Sequence, residues 1–503
     1  MDADYIVVGT GSAGSVLANR LSEDPAASVV VLEAGPRDKD KFIHIPAGFA
    51  KLFRSAMDWD YLTEPQKELD GREIYWPRGK VLGGSSSMNA MMWVRGFPAD
   101  YEEWADYAGE QWNYKSVEKY FQRIEGGPLV ISPQRSPRSS TAAWLAAVRE
   151  RGHDGFVETL VTQRRGARWS TADAYLKPAL QRKNLTLHTE ATAARILFDE
   201  TRAVGVEFEQ LGQRRVVRAR REVVLCAGAI NSPQLLMLSG LGPGDQLAEH
   251  GIEMVAELPD VGANLLDHLV VPIGFDVPDD TLFTAEKPLE LINYLVRRRG
   301  MLTSNVGEAY GFVKSREDLE YPDLELIFAP APYFEEGLGD PYDRHAVVMG
   351  PILLKPYSRG TITLRSADHK DKPVIDPRYL TDDAGADRAA LMSGLRMCVD
   401  IAESAALKGI IGKVARPLGA TVLDDETLER ALNSLSHTLY HPVGTCRMGT
   451  DDTSVVDPEL RVRGVDGLRV ADASVMPTII RGHTHAPTVL IGEVAADLIR
   501  GAC

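Results

Sequence analysis

The run YIVVG at 5–9 is short, continuously apolar and closed by glycine, the pattern of a strand buried on both faces of a parallel sheet. The residues that follow, SAGSVLANRLSED, place Val16, Leu17 and Leu21 at helical spacing, and SVVVLEAG then reads as a second buried strand closing near Glu33. Strand, helix and strand within about 35 residues make a βαβ unit. From Trp59 to Trp112 periodicity fades while Gly, Pro and Trp accumulate, which predicts long loops packed on a cofactor instead of regular elements. Pattern returns with RREVVLCAGAI at 220–230, a strand feeding a turn. SPQLLMLSGLG at 232–242 follows, with a Ser-Pro that predicts a helix start and a glycine that predicts its end. Between 269 and 435 the texture changes to short alternating segments such as LELIF and TITLRS, mixed with helical stretches such as AALMSGLRMCVDIAES. An antiparallel sheet with helices is expected there. Arg297, Arg298 and Arg299 form a short basic cluster, read as a solvated helix end.

A chain of 503 residues exceeds what one core fills, so two coupled domains are expected. Its 44% apolar and 25% charged residues argue against disorder and against a membrane-embedded bundle. A net charge of −15 argues against nucleic-acid binding, which needs basic surface to neutralise phosphates. The cysteines, at 226, 398, 446 and 503, form no CxxC pair and no metal-like cluster. Neither a metal nor a disulfide framework is expected, and a reducing compartment fits. Strand pattern begins by Asp4 and no apolar run approaches 18 residues, so the expectation is a cytoplasmic protein without a membrane span.

The first chemical motif is GTGSAG, with glycines at 9, 11 and 14. Gly9 permits a tight turn, Gly11 lets backbone approach a pyrophosphate, and Gly14 lets the helix lie against the strand, with phosphates at the helix N-terminus. Glu33 stands at the end of the next strand, 24 positions after Gly9, where a carboxylate accepts hydrogen bonds from a ribose and repels a 2′-phosphate. NADP is thereby disfavoured. The motif alone leaves NAD and FAD open.

Two further stretches bear on that choice: GKVLGGSSSMNAMMWVRGFPADYE at 79–102 and GAINSPQLLMLSGLG at 228–242. By themselves they are a loop of small residues whose amides could hold a diphosphate or a flavin ring, and a helix N-terminus beside the same group. Nearly position for position, both resemble the signature segments of the glucose-methanol-choline (GMC) oxidoreductase family. YHPVGTCRMG at 440–449 and DGLRVADASVMPTIIRGHTHAPTVLIGEVAADLI at 466–499 extend the resemblance. It covers 1–125, 184–268 and 345–503, while 126–183 and 269–344 match loosely.

The resemblance implies an α/β protein with a Rossmann-like FAD-binding domain drawn from 1–127, 184–268 and 436–503. A second, antiparallel-sheet-plus-helices substrate domain is drawn from 128–183 and 269–435. FAD is the implied cofactor. Its contacts would come from the first unit (Gly9, Gly11, Ser12, Gly14, Glu33, Ala34) and from the 78–92 segment (Arg78, Val81, Gly83, Gly84, Asn89, Ala90, Met91, Met92). Ala193, Ala227, Gly228 and Tyr440 would add to them. Asp472 and Ala473 would lie near the ribityl and diphosphate, although Asp472 also suits an Asx turn. Pro487 and Thr488 would open the last helix with amides facing the flavin's pyrimidine edge. Some members anchor FAD covalently through a histidine in the GGSSS segment; Met88 stands there, which implies non-covalent flavin.

By the same resemblance His441, in HPVGT, and His483 form the catalytic pair. An imidazole with an ordinary pKa near 6.5 suits a base that takes the hydroxyl proton while hydride leaves the α-carbon. Such a base predicts activity that falls below roughly pH 6.5. His485, two residues on, could share the inward face. All seven tryptophans lie at or before Trp169, so a substrate wall from the later domain would use Phe328, Tyr333 or Phe334, with Tyr310 nearby. An aryl or medium-chain primary alcohol is ranked first, with oxygen or another electron acceptor closing the cycle. A choline-type alcohol, which would want a carboxylate such as Glu308 or Glu325, comes second. A cyanohydrin-cleaving lyase with redox-silent FAD is the competing class. Oligomeric state is not legible.

Overall fold

A computed structural model describes residues 2–338 and 342–501; Cys503 lies outside the described residues. Strand β1 (Asp2–Val8), helix α1 (Gly14–Leu21) and strand β2 (Val29–Leu32) form the opening unit. Val7, Val16, Leu17 and Val31 are fully buried within it. β1 pairs in parallel with β2 on one side and with the long strand Gln213–Leu225 on the other. Beyond β2 lies Leu185–His188, also parallel. The long strand changes partner along its length. Its first half is antiparallel to Arg202–Gln210, and its end pairs in parallel with Leu468–Val470. The carboxyl ends of β1, β2 and the long strand therefore meet along one edge, where parallel sheets bind ligands.

A second sheet of eight strands covers that edge. Its spine runs Val414–Arg416, Ile273–Asp276, Ala346–Leu353, Leu324–Ala329, Ala309–Val313, Val157–Glu158, each antiparallel to the next. Residues 437–438, expected with the first domain, instead pair with Leu269–Val270 in this sheet. Helix Ala386–Ala402 packs on the face of the sheet away from the first domain's ligand edge, where Gly394 meets Pro351.

Two expectations about elements are corrected. The 59–112 segment is not all loop, because Pro98–Ala108 is helical. Pro98 sits in the first turn and the Asp100 carboxylate accepts from the Phe97 amide, a start signal carried by two residues that window periodicity dilutes. The helix placed from Ser232–Pro233 begins earlier, at Gly228, so Pro233 lies inside it. Pro233 is the sixth residue of the helix, past the unpartnered first-turn amides, so it gives up one helical hydrogen bond, the one to Ala229.

Candidate active site

A continuous cavity of about 330 Å³ runs from the glycine-rich turn to the junction of the two sheets. At its first end Gly9 takes φ +100°, and a Cβ there would stand 2.4 Å from the Cys226 carbonyl oxygen. Only glycine fits. Glu33 is buried beside it. Its Oε2 accepts from the Thr10 amide (3.0 Å) and hydroxyl, and its Oε1 from the Gly35 amide (2.9 Å). Burial raises its pKa and these donors oppose the shift. Gly11, Ser12, Ala34, Ala193, Ala227 and Gly228 line the same end. Along the middle come Arg78, Gly84, Met88, Asn89, Ala90, Met91 and Met92, then Asp472, Ala473 and Thr488.

These residues fit FAD. A Cβ added at Gly228 would meet nothing within 4 Å, so the backbone there is open to an extended group. Behind the 84–89 turn the Arg168 guanidinium is buried, donates to Asn89 Oδ1 (2.6 Å), and leaves Nη2 without a protein partner. Burial lowers its pKa to about 9, which still leaves a cation at neutral pH, set behind the turn and not on the cavity wall.

Six expected contacts lie elsewhere. Gly14 is spent on helix–strand packing, since a Cβ would be 2.0 Å from the Gly9 oxygen. Val81 is in an apolar cluster, and Gly83 donates its amide to Thr10 Oγ1 (3.0 Å). Pro487, with no amide hydrogen, is absent from the cavity wall, and the Thr488 amide bonds to the Thr484 oxygen (3.1 Å). The first-turn amides without a helical partner are those of His485 and Ala486, and of these two residues His485 alone lines the cavity. Phe328 alternates with Ile327 and Ala329 and so points away from the cavity, stacking on Trp144 at 5.2 Å. Phe334 packs on Gly274 and Tyr342. Of the three expected substrate contacts, Tyr333 alone reaches the wall. Asp472 lines the cavity, but it does so as an Asx turn. Its two oxygens accept from Ser474, Gly228 and Ser232, so its carboxylate is occupied within the protein.

At the far end His441 and His483 meet, ring centroids 4.9 Å apart and planes at 86°. A left-handed or otherwise positive-φ residue precedes each, strained at Tyr440 and permitted by glycine at Gly482. Tyr440, just before His441, takes φ +68° and its carbonyl accepts from Arg78 Nη2 (2.6 Å), while the His441 amide donates to Asp267 Oδ1 (2.8 Å). Gly482, just before His483, takes φ +123°. Met91 (φ +57°) and the β-branched Val306 (φ +73°) also line the cavity, so several of the chain's unfavourable conformations cluster here.

Behind each histidine stands a residue that the sequence reading did not place. His268 Nδ1 lies 3.0 Å from His441 Nδ1, and His268 Nε2 lies 3.1 Å from the Leu354 oxygen. A carbonyl only accepts, so neutral His268 carries its proton on Nε2 and accepts at Nδ1 from His441. His441 is thereby left with a bare Nε2. Burial, then His483, His268 and Arg78, hold the His441 pKa well below the ordinary value; burial and His483 push His268 down to about 3. His483 Nε2 lies 3.1 Å from Glu325 Oε1. The Asp267–His268 pair carries no spacing signal of its own. The sequence offers Glu325 as a carboxylate, but only the strand pairing of 324–329 sets it behind His483. His485 faces the other end: its Nδ1 is 2.9 Å from Ser12 Oγ, and burial followed by Arg168 takes its pKa down to about 4.

The wall opposite the histidines is apolar and aromatic. Phe49 approaches Phe53 (5.9 Å) and Tyr333 (6.0 Å), and Phe53 approaches Tyr440 (5.9 Å). Ile327, Ala329 and Val348 floor it. Phe49 and Phe53 carried no motif. Glu308 is spent on the Arg138 amide and the hydroxyls of Thr141 and Ser304, so neither it nor Glu325 lines the cavity.

A dinucleotide cradle that ends on paired imidazoles defines a nucleotide-dependent oxidoreductase. The chain belongs to the GMC oxidoreductase family, whose N-terminal model matches residues 3–270 and whose C-terminal model matches 356–492. It is an FAD enzyme acting on CH–OH donors. It is 67% identical to an uncharacterized GMC-type oxidoreductase of Mycobacterium tuberculosis (strain ATCC 25618 / H37Rv), over 99% of both chains. It is 40% identical to alcohol dehydrogenase [acceptor] of Pseudomonas putida, over 99% of this chain and 95% of that one. Identity is also 40% to the mitochondrial choline dehydrogenase of Homo sapiens, over 99% and 89%. Among solved structures, pyridoxine 4-oxidase from Mesorbium loti superposes with a TM-score of 0.88 at 31% identity, over 98% of each chain. No helix among the described residues is long and apolar enough to cross a membrane.

Proposed function

We propose that this enzyme oxidises a primary alcohol, aryl or medium-chain aliphatic, to the aldehyde, with FAD held non-covalently. The observation that carries the reading is the perpendicular His441–His483 pair facing an aromatic wall at the end of a dinucleotide cradle. FAD, when bound, supplies the hydride acceptor at N5. His441 Nε2, bare because His268 fixes the proton on Nδ1, takes the hydroxyl proton. His483 gives its Nε2–H to Glu325, so it holds the substrate oxygen through Nδ1–H in the imidazolium form, with Glu325 orienting the ring and compensating its charge. The depressed His441 pKa keeps the base neutral below pH 6.5, so the acid limb of activity moves to lower pH than an ordinary imidazole would give.

Phe49, Phe53, Tyr333 and Tyr440 suit an aromatic ring or alkyl chain. A quaternary ammonium would want a fixed negative charge as well. Glu336, which bonds Tyr440, is pushed up to about 8 by burial and does not line the cavity, so the aromatic wall itself offers no carboxylate to a cation. Met88, lining the cavity in the GGSSS segment, has no nucleophilic nitrogen to tether a flavin.

Mixing oxidised holoenzyme anaerobically with aryl, alkyl and choline-type alcohols tests this. Bleaching of the flavin with aldehyde formed in equal amount is expected, fastest with the uncharged alcohols. Flavin that stays oxidised while a cyanohydrin is cleaved would assign the lyase instead.

A further inference from the structure

Helix Pro288–Arg297 is inside out. A surface helix buries its apolar stripe and shows its polar face to water. Here Leu289, Ile292, Leu295 and Val296 are exposed by 78, 56, 60 and 77%, with Leu291 beside them and Phe283 in the preceding turn. The inward positions are polar: the Tyr294 hydroxyl donates to the His44 oxygen (3.2 Å), and Glu290 Oε2 accepts from the Met301 amide (3.0 Å). Contiguous apolar surface of this kind marks a docking face. Its border is cationic. Lys287 precedes the helix, Arg297 ends it, and Arg298 and Arg299 follow; Arg298 lies over the Tyr294 ring at 4.8 Å and Arg299 donates to the Arg135 oxygen, and none of the three is paired with a carboxylate among the described residues. Such a border stands out on a chain of net charge −15.

We propose that this helix docks the enzyme on an anionic lipid bilayer, lying in the plane of the headgroups. Ten residues span about 15 Å, enough to lie in an interface and too short to cross one. Charge complementarity selects this occupant over a second copy of the chain. Two-fold pairing would bring two arginine clusters into one interface with few carboxylates to offset them, because Glu290 is turned inward and the exposed Glu286 already pairs with Lys51 at 2.8 Å. Docking would also set the cavity close to the membrane, because Tyr294 rests on His44, just ahead of the 46–52 turn that supplies Phe49.

The test is flotation of the holoenzyme with vesicles of phosphatidylcholine, with or without phosphatidylglycerol. Binding to the anionic vesicles, weakened by salt, is expected. The triple variant Leu289→Glu, Ile292→Glu, Val296→Glu should lose at least about tenfold in partitioning. Arg297→Gln with Arg299→Gln should remove the preference for anionic over neutral vesicles. Circular dichroism and alcohol oxidation should be unchanged in both. Failure of the unaltered holoenzyme to bind anionic vesicles would overturn the proposal, as would equal binding by the triple variant. A dimer in light scattering that the triple variant dissociates would assign the face to a second copy.

Discussion

The two imidazoles that meet in the cavity are held by opposite means. His441 leans on a neutral partner, His268, in a pocket where burial and neighbouring cations oppose a second proton. His483 leans on a carboxylate, Glu325, from the opposing sheet. In the proposed mechanism one ring is kept bare to receive a proton, and the other is placed where positive charge is compensated. The pair divides labour through what stands behind each ring, because the rings themselves are chemically identical.

The most damaging change should be His441→Ala, which removes the acceptor. Flavin reduction should slow by about 10³-fold or more with FAD retained, as read by anaerobic rapid mixing. A near-native rate would erase the distinction between the rings. Glu325→Gln keeps the shape and removes the charge behind His483; a fall of about 10²-fold in the reduction rate is expected, with KM little altered. If the rate held, the carboxylate would be a packing group only. His268→Gln should cost about tenfold, the worth of one hydrogen bond of about 1.4 kcal/mol, and should raise the pH of the acid limb because a second pH-sensitive ring is gone from beside His441.

The smallest effect concerns stability. Burial takes His268 down to about 3 and His437 and His485 to about 4, all below the unfolded value of 6.5. Below pH 6.5 the unfolded chain binds protons that the folded chain refuses. The histidine contribution to stability is therefore present above pH 6.5 and is lost as pH falls from there toward the folded values. Thermal unfolding between pH 7 and 4 reads it. A midpoint independent of pH over that range would mean the rings are solvated.

The cofactor end of the cavity was legible because it is built locally. Gly9, Gly11 and Glu33 sit in one βαβ unit, so spacing along the chain is spacing in space. His441 and His483 were legible only through family motifs. The substrate end was harder because its residues come from distant strands. Alternation in 324–329 puts Glu325 and Ile327 on one face and Phe328 on the other, and sequence alone does not say which face meets the cavity. The aromatic residue in the more conspicuous stretch was thus chosen over Phe49 and Phe53, which lie in an irregular turn without periodicity.

The central claim is that hydride leaves the α-carbon of an alcohol while this histidine pair manages its proton. The most direct measurement compares anaerobic flavin reduction by an aryl alcohol and by its α-deuterated form. The account predicts complete bleaching that is several-fold slower with deuterium. Flavin that remains oxidised with both alcohols would contradict it.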